Sequence, residues 1–328
     1  TYTYTHNQKI RIAHLTDVHL DLDYQVGSEA DCKDVICCHE DSASASDGNV
    51  TRAAGLYGDY KCDTPRATVT SFLDHLHDKK PDLIAFTGDM AAHDVWSESR
   101  AKAMLTEGAL ARILSTSGVL TVPVVGNHET VPANSFPYGN MTGEYSSDWL
   151  YSSLALQWLG FLDQTEKLQF IRHGRYKYII PDKKLMVIAL NTNIAYLFNV
   201  WRLMYYPDAD PDGQLAWLAD ALALCDVDDL QALIIGHHPH VAQGIERIND
   251  TIVFYSLGNF IFDQYFSQAV REGLVVNLTE NSVSDLEINL IPITTKENLA
   301  QPTRMNDFEK NVFLEKLAGY SEYKIQES

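Results

Sequence analysis

The sequence predicts a layered α/β fold, in which helices alternate with the strands of a sheet. Short runs of aliphatic and β-branched residues indicate strands at residues 10–15, 83–87, 119–125, 185–190 and 232–235. Helical spacing of apolar residues occurs between several of these runs, at residues 65–79, 97–115 and 211–224. Strands that alternate with helices are typical of α/β proteins. Of the 328 residues 45% are hydrophobic and 21% are charged, a composition that excludes a disordered or fibrous chain.

The residues at the starts of these segments support the predicted helices. The pattern of predicted elements changes after residue 240. The segment at 65–79 opens with proline, which fits the first turn of a helix. The segment at 211–224 opens with Pro-Asp-Gly and then places Leu215, Leu218 and Leu222 on one face. After residue 240 the strands predicted at 251–257, 273–278 and 286–293 are joined by short polar turns. Residues 297–328 are mostly polar, which predicts a peripheral tail with one short helix.

The charge balance excludes some partners. Lys and Arg number 25 and Asp and Glu number 44, so the formal net charge is −19. We expect no nucleic-acid binding, because a chain this acidic repels phosphates. The sequence contains no run of 18 apolar residues, so we predict no transmembrane helix and at most peripheral membrane contact. We expect a monomer.

The cysteines predict a covalently stapled loop. Four of the five, Cys32, Cys37, Cys38 and Cys62, lie in a polar segment that has little apolar material to hold it, which favours disulfides. A bond between the adjacent Cys37 and Cys38 would be strained, so Cys38 is expected to pair with Cys32 or Cys62. A zinc knuckle or free buried thiols are the alternatives. We predict that Cys225 is a buried free thiol on a helix.

Asn-x-Ser/Thr sequons add to the indications of a secreted protein. They lie at Asn49, Asn140, Asn249 and Asn277. Each sequon alone is weak, but together with the cysteine cluster they favour the secretory pathway.

Polar motifs follow four of the predicted strands. They are Asp17-Val-His19, Gly88-Asp89 with His93-Asp94, Gly126-Asn127-His128-Glu129 and Gly236-His237-His238-Pro239-His240. Each motif alone is common, and the last could be a chance cluster or a mononuclear site. Ligand sites of layered α/β folds collect at the carboxyl ends of strands, so we expect these motifs to meet.

The residue types in these motifs suit a site for two divalent cations. Cations about 3.5–4 Å apart need an anionic oxygen between them, and Asp89 is the natural bridge. Asp17 and His19 can both turn toward one cation, and Asn127 offers a neutral oxygen to the other. A water held between the cations becomes hydroxide near neutral pH and can attack phosphorus in line.

This ordered set of motifs resembles that of the calcineurin-like metallophosphoesterases. Residues 17–239 resemble, more narrowly, acid sphingomyelinase and the acid sphingomyelinase-like phosphodiesterases. The stretches that carry the resemblance are DVHLDLDY, DCKDVICC, LYGDYKCDTP, FTGDMAAHDVW, GNHETVPANSFP and PDGQLAWL. The resemblance implies a four-layer αββα sandwich of the metallophosphoesterase type. We predict that this domain covers residues 8–296, with a disulfide-rich loop at 31–63 inserted, and that residues 297–328 form the tail.

The resemblance also implies roles for individual residues. The implied zinc ligands, with Asp89 bridging, are Asp17, His19, Asp89, Asn127 and His237. His93 and His128 would contact the phosphate or its leaving group as catalytic residues. The implied disulfides are Cys32–Cys37 and Cys38–Cys62, and the implied location is secreted or lysosomal.

The last third of the chain departs from that family's pattern. The family has a Gly-His-x-His motif well downstream, whereas no histidine follows His240 here. Residues 236–265, through GHHPHVAQGIE and IVFYSLGNFIFDQ, resemble the bacterial CapA family of poly-γ-glutamate synthesis instead. His237, His238 and His240 are therefore expected to supply every C-terminal metal ligand.

These inferences combine into a prediction of function. We expect a metal-dependent phosphodiesterase that uses two divalent cations, with Zn²⁺ expected, on a small-molecule or lipid phosphodiester of the sphingomyelin or nucleotide type. The alternatives are a CapA-like protein of anionic polymer synthesis or export and a metal-poor, non-catalytic relative.

Overall fold

The structure, a computed structural model, describes most of the chain. The described residues are 10–42, 49–138, 141–210, 212–238, 240–248, 251–259, 267–282, 285–296 and 302–321. They divide into two compact units, an N-terminal unit over Ile10–His237 and a C-terminal unit from His238 onward. Among the described residues, no helix is both long and apolar enough to cross a membrane.

The first half of the N-terminal unit forms a parallel sheet with crossover helices. Its elements are β1 (Ile12–Leu15), α1 (Arg66–Lys79), β2 (Leu83–Phe86), α2 (Arg100–Ser115) and β3 (Thr121–Pro123). The strands lie in the order β1-β2-β3. All four residues of β2 are buried, because this central strand is covered on both faces.

The second half forms another sheet. Its elements are α3 (Asp148–Gln157), α4 (Gln164–His173), β4 (Tyr176–Ile180), β5 (Leu185–Ala189), α5 (Arg202–Tyr205), α6 (Gln214–Asp228) and β6 (Gln231–Ile235). Strand β5 lies between β4, to which it is antiparallel, and β6, to which it is parallel. Helix α6 matches the helix predicted from residue 211, although residue 211 itself lies outside the described residues.

Strand β5 shows how the layers stack. One face, formed by Leu185, Val187 and Ala189, belongs to the core shared with β2 and α2. The other face, Met186 and Ile188, packs against Ala221 and Cys225 of α6. The hydroxyl of Tyr176 donates to the carbonyl oxygen of Pro123 at 2.8 Å and so joins the two sheets. Crossovers between parallel strands are right-handed as a rule, which puts α1 and α2 on the same face of the first sheet, and both helices contribute buried residues to that core. The predicted four-layer αββα order is therefore confirmed.

A stapled insertion separates β1 from α1. Disulfides join Cys32 to Cys37 and Cys38 to Cys62, which is the pairing implied by the resemblance. Their sulfurs lie in a small buried cluster with Ala30 and Ala54. Cys225 is a buried free cysteine on α6, as predicted.

The C-terminal unit is an antiparallel structure with a helix. Its elements are β7 (Ile245–Ile248), β8 (Thr251–Phe254), β9 (Glu272–Ser282), β10 (Asp285–Thr294), β11 (Thr303–Arg304) and α7 (Asp307–Gly319). A capping box of Asn306 and Glu309 begins α7. The apolar face of α7, including Phe313 and Leu317, packs against Ile245 and Leu274. The short helix expected after residue 296 thus contributes to the core of its unit. The domain boundary at residues 296–297 stays a prediction.

Glu29 organises the start of the insertion from the inside. Its buried carboxylate accepts the backbone N–H groups of Thr51, Asp31 and Arg52 at 2.5, 2.8 and 3.1 Å, and the hydroxyl of Thr51 at 2.9 Å. These hydrogen bonds, led by that of the Thr51 backbone, lower the pKa of Glu29 from 4.5 to about 2. Hydrogen bonds to the charged form favour ionisation, so the folded insertion holds Glu29 as the carboxylate.

We expect Glu29→Gln to loosen the insertion while the sheets stay folded. Because the folded pKa lies below the ordinary value, the contribution of the carboxylate is fully present above about pH 4.5 and is lost as the pH falls toward 2. Hydrogen exchange of the Asp31, Thr51 and Arg52 amides should accelerate several-fold in the variant at pH 5.5. The exposed Glu40→Gln of the same insertion is the control. Equal protection in both variants would show that Glu29 does not hold the loop.

Candidate metal centre

Residues from each of the four polar motifs meet at one edge of the N-terminal unit. Strands β1, β2, β3 and β6 end at Leu15, Phe86, Pro123 and Ile235, shortly before the motifs. The structure brings together Asp17, His19, Asp89, Asn127 and His237 from these strand ends, with His93 and His128 beside them. The carboxyl ends of the strands thus form a single site, as is usual in layered α/β folds.

Left-handed backbone conformations turn three of these side chains inward. Asp17, His19 and Asp89 have φ angles of 50°, 42° and 54°. The N–H of Asp17 donates to Gly88 O and the N–H of His19 donates to Asp89 O, both at 3.0 Å. Non-glycine residues with such angles are uncommon and are retained where the surrounding structure fixes them, often at functional sites.

Two glycines allow the strand ends to approach each other. A Cβ atom on Gly126 would lie 2.1 Å from the backbone nitrogen of Asp89 and 2.3 Å from its Oδ1. A Cβ atom on Gly88, whose φ is +93°, would lie 2.3 Å from the backbone nitrogen of Gly126. No side chain fits at either position, so glycine is required to bring Asp89 next to the loop that carries Asn127.

His19 presents one ring nitrogen to two carboxylates. Its Nδ1 lies 2.8 Å from the carbonyl oxygen of Ala91, which only accepts, so Nδ1 carries the proton and Nε2 has a lone pair. Burial, and then the charge of His93, lower the pKa of His19 to about 3, which keeps the ring neutral. Its Nε2 lies 3.7 Å from Asp89 Oδ2 and 3.9 Å from Asp17 Oδ1.

His237 also presents its Nε2 to the carboxylate of Asp89. Its Nδ1 lies 2.5 Å from the carbonyl oxygen of Thr87, and its backbone N–H donates to Thr192 Oγ1 at 2.9 Å. Its Nε2 lies 3.5 Å from Asp89 Oδ2 and 2.9 Å from Asn127 Oδ1. Burial is the largest single influence and opposes a charge on His237, but the charge and hydrogen bond of Asp89, together with the charges of Asp17 and Glu129, outweigh burial and raise the pKa of His237 to about 9.

These contacts define two donor sets that share Asp89. Asp17, His19 and Asp89 form one set, whose ligand atoms lie within 4.8 Å of one another. Asp89, Asn127 and His237 form the other. A neutral imidazole lone pair that faces carboxylate oxygens is repelled unless a cation lies between them, and the raised pKa of His237 reflects the same demand for positive charge. Nitrogen and oxygen donors held by bonds to backbone carbonyls fit a divalent metal.

The rings of His93 and His128 lie next to His19, a member of the first donor set. The ring of His93 stacks on that of His19 with centroids 3.7 Å apart, and the His128 ring lies 4.8 Å from that of His19. The backbone N–H of His128 donates to Asp89 Oδ1 at 2.9 Å. Within the part of the chain that the structure describes, His128 Nδ1 is buried and has no hydrogen-bond partner. Such an atom is suited to face a ligand.

Sequence reasoning missed two carboxyl groups that support this site. Asp63 holds His93 through its ring Nδ1 at 2.7 Å and its backbone N–H at 2.6 Å. Glu129 is fully buried and accepts the backbone N–H of Met90 at 2.5 Å. Burial, and then the charge of Asp89, raise the pKa of Glu129 to about 8. The signal for Glu129 was its place in the Gly-Asn-His-Glu motif, whereas no spacing rule points to Asp63.

The three histidines of the last motif are divided between the units. His237 closes the N-terminal unit and takes part in the site. His238 and His240 belong to the C-terminal unit, where their rings lie 4.6 Å apart and His240 Nδ1 lies 2.9 Å from Asn259 Oδ1. Their role as metal ligands stays a prediction.

Comparisons with known proteins agree with the resemblance inferred from the sequence. Sphingomyelin phosphodiesterase of Homo sapiens is 39% identical over 234 residues, which are 70% of this chain and 36% of that protein. The protein of the same name from Bos taurus is 34% identical, with 78% and 42% covered. Acid sphingomyelinase-like phosphodiesterase 3b of Mus musculus is 31% identical, with 70% and 48% covered. The chain thus spans less than half the length of these relatives.

Two further comparisons concern the C-terminal motif and the fold. The model of the family "Bacterial capsule synthesis protein PGA_cap" matches residues 210–264. A dimetal phosphatase from Danio rerio has a TM-score of 0.38 at 13% identity, covering 71% of this chain and 72% of that one. At that TM-score the structural likeness supports no conclusion about the site. In sequence, the chain resembles the sphingomyelin phosphodiesterases over most of its length and the bacterial capsule-synthesis family over residues 210–264.

Proposed function

We propose that this protein is a metal-dependent phosphodiesterase, a phosphoric diester hydrolase. The observation that carries the proposal is that Asp89 Oδ2 is close to two imidazole nitrogens, His19 Nε2 at 3.7 Å and His237 Nε2 at 3.5 Å. A carboxylate oxygen shared by two imidazole-containing donor sets is suited to bridge two cations. The sequence similarity to phosphodiesterases supports the same reaction class.

We propose Zn²⁺ as the metal at both positions. Asp17, His19 and Asp89 would hold one ion, and Asp89, Asn127 and His237 would hold the other. Imidazole nitrogens combined with carboxylate oxygens are typical of Zn²⁺ sites, while the amide oxygen of Asn127 adds no charge. His238 and His240 remain candidates for additional ligands.

The residues around the two donor sets have distinct chemical tasks. Bound cations would supply Lewis-acid stabilisation of the phosphoryl oxygens and would lower the pKa of water at the site. Asp63 accepts the Nδ1 proton of His93, and a ring that also carries a proton on Nε2 would give this second proton to the departing oxygen. His128, with its buried and unbonded Nδ1, would contact a phosphate oxygen. Asp89 keeps the backbone of His128 in place through Oδ1.

The relatives and the disulfides support proposals for the substrate class and the location of the protein. The names of the relatives point to a lipid phosphodiester of the sphingomyelin type. Two disulfides indicate an oxidising compartment, so we propose a secreted or lysosomal protein. The sequon at Asn49 is exposed, and Asn277 lies on β9, whereas Asn140 and Asn249 lie outside the described residues.

A role in anionic polymer synthesis is the second candidate. It is favoured by the capsule-synthesis match at residues 210–264, which includes His237, His238 and His240. That match covers a small part of the chain and none of the residues from Asp17 to Asn127. A phosphodiesterase accounts for all the strand-end motifs, so we prefer it.

We expect Asp89→Ala to lose both cations, because the substitution removes the oxygen that both donor sets share. Asn127→Ala should mainly weaken one site, leaving about one metal per chain. Elemental analysis of the zinc-loaded, desalted proteins measures these contents. Asp94→Ala is the matched control, since Asp94 is a buried carboxylate nearby that pairs with Lys102 instead. Two metals per chain in the Asp89 variant would refute the bridge.

We expect the metal-loaded protein to hydrolyse sphingomyelin in detergent micelles and bis(4-nitrophenyl) phosphate in solution. Chelation should abolish both activities, and Zn²⁺ should restore them. His93→Ala should lower the rate on sphingomyelin by about 100-fold or more, which is typical for the loss of a general acid. His75→Ala, which removes an exposed histidine of α1, should have no effect.

Activity that survives complete metal removal would contradict the proposal. So would a metal-loaded chain that cleaves neither phosphodiester, a result that would favour the polymer-related candidate.

A further inference from the structure

We propose that the disulfide-bonded insertion is a positioning device for the catalytic acid, in which the Cys38–Cys62 bond holds Asp63 and Asp63 holds His93. The inference rests on the proposed phosphodiesterase function and assigns a task to a segment that neither donor set uses. Its basis is a continuous set of contacts from the disulfide to the His93 ring.

The first contact fixes His93 at two points. One oxygen of Asp63 bonds the ring Nδ1 of His93 at 2.7 Å, and the other accepts its backbone N–H at 2.6 Å. The Asp63 side chain is 11% exposed. A single carboxylate bound to both the backbone and the ring of one residue restricts the ring to one orientation. That orientation stacks His93 on His19 at 3.7 Å.

The second contact fixes Asp63 itself. Asp63 directly follows Cys62, whose sulfur is bonded to the fully buried Cys38. The next residue, Thr64, donates its N–H to His19 O at 3.1 Å and accepts the N–H of Asp21 at 2.9 Å. The end of the insertion is thus bound both to the disulfide and to the chain segment that carries His19.

The other end of the same disulfide is bound in a similar way. His39, which directly follows Cys38, pairs with the buried Asp21 through Nε2 and Oδ2 at 2.7 Å. The Cys38–Cys62 bond is therefore flanked by two Asp–His pairs, His39 with Asp21 and Asp63 with His93. Both pairs join the insertion to residues within a few positions of the metal centre. A loop that served only as a cover would not need this arrangement.

The reaction step shows what the positioning would accomplish. A bond forms between the water oxygen and phosphorus as that water loses a proton to solvent, and the bond from phosphorus to the leaving oxygen breaks. The proton on His93 Nε2 passes to that oxygen, and the ring regains a proton from solvent. An alkoxide needs this proton, whereas a nitrophenolate is stable without it. Loss of the position of His93 should therefore slow only the cleavage of alkyl esters.

The test compares two substrates in the metal-loaded full chain. Asp63→Asn should lower the rate on sphingomyelin by about 100-fold and the rate on bis(4-nitrophenyl) phosphate less than about fivefold, because only the first needs a general acid. Metal content should stay unchanged. Asp31→Asn, which alters an exposed carboxylate of the same insertion, should leave both rates unchanged. Asp63→Glu should partly restore the sphingomyelin rate.

Two further measurements separate positioning from a general structural role. His93→Ala should likewise lower the rate on sphingomyelin far more than the rate on bis(4-nitrophenyl) phosphate. The double variant with Asp63→Asn should cleave sphingomyelin no more slowly than His93→Ala alone. Replacement of both Cys38 and Cys62 by serine should also lower the sphingomyelin rate more than the bis(4-nitrophenyl) phosphate rate, but by a smaller factor than Asp63→Asn. Removal of Cys32–Cys37, which does not adjoin Asp63, is the matched control.

An equal loss on both substrates in Asp63→Asn, or no loss on either, would overturn the inference while the phosphodiesterase function stands. A wild-type protein inactive on both substrates would overturn the proposed function as well. If the variant with both cysteines replaced by serine does not fold, the two rates of Asp63→Asn still decide whether Asp63 positions His93.

Discussion

The buried carboxylate of Asp89 is costly unless positive charge lies next to it, and the arrangement of the rest of the site follows from this constraint. Asp89 is 1% exposed, and burial alone would raise its pKa. The positive charge of His237 and its hydrogen bond instead hold the pKa of Asp89 well below its ordinary value. An unpaired buried carboxylate is costly. Neighbouring histidines, or cations held by them, offset that cost, and the same carboxylate is shared by the two donor sets.

The backbone around Asp89 is shaped to keep it there. Gly88 and Gly126 leave no space for a Cβ atom, and the left-handed residues Asp17, His19 and Asp89 point their side chains to one spot. A non-glycine residue in that conformation costs about 1–2 kcal/mol. The fully buried β2, which lies between β1 and β3, provides the rigid support that makes this cost tolerable. Rigid strands beneath strained loops are a common way to hold a site.

The sequence predicted the layered fold and most of the site because both depend on local patterns. Strands end two to four positions before Asp17, Asp89, Asn127 and His237, so the strand-end rule found these residues. The sequence did not predict helix α4 or strand β4. Helix α4 buries only Phe170, so it has little apolar periodicity, and β4 contains a lysine, which pairs with Glu166. The contact of Asp63 with His93 spans 30 residues, from the end of the disulfide-bonded loop across α1 and β2. No periodicity encodes such a contact, and spacing alone did not show that His237 is separated from His238 and His240.

The central claim is that Asp89 lies between two metal ions, and anomalous diffraction from crystals grown with Zn²⁺ tests it most directly. The account predicts two peaks on opposite sides of Asp89 Oδ2, one beside Asp17 and His19 and the other beside Asn127 and His237. A competing set, formed by His19, His93 and His128, also has ligand atoms within 4.8 Å of one another. A single peak in that histidine set, with none at Asp89, would contradict the account.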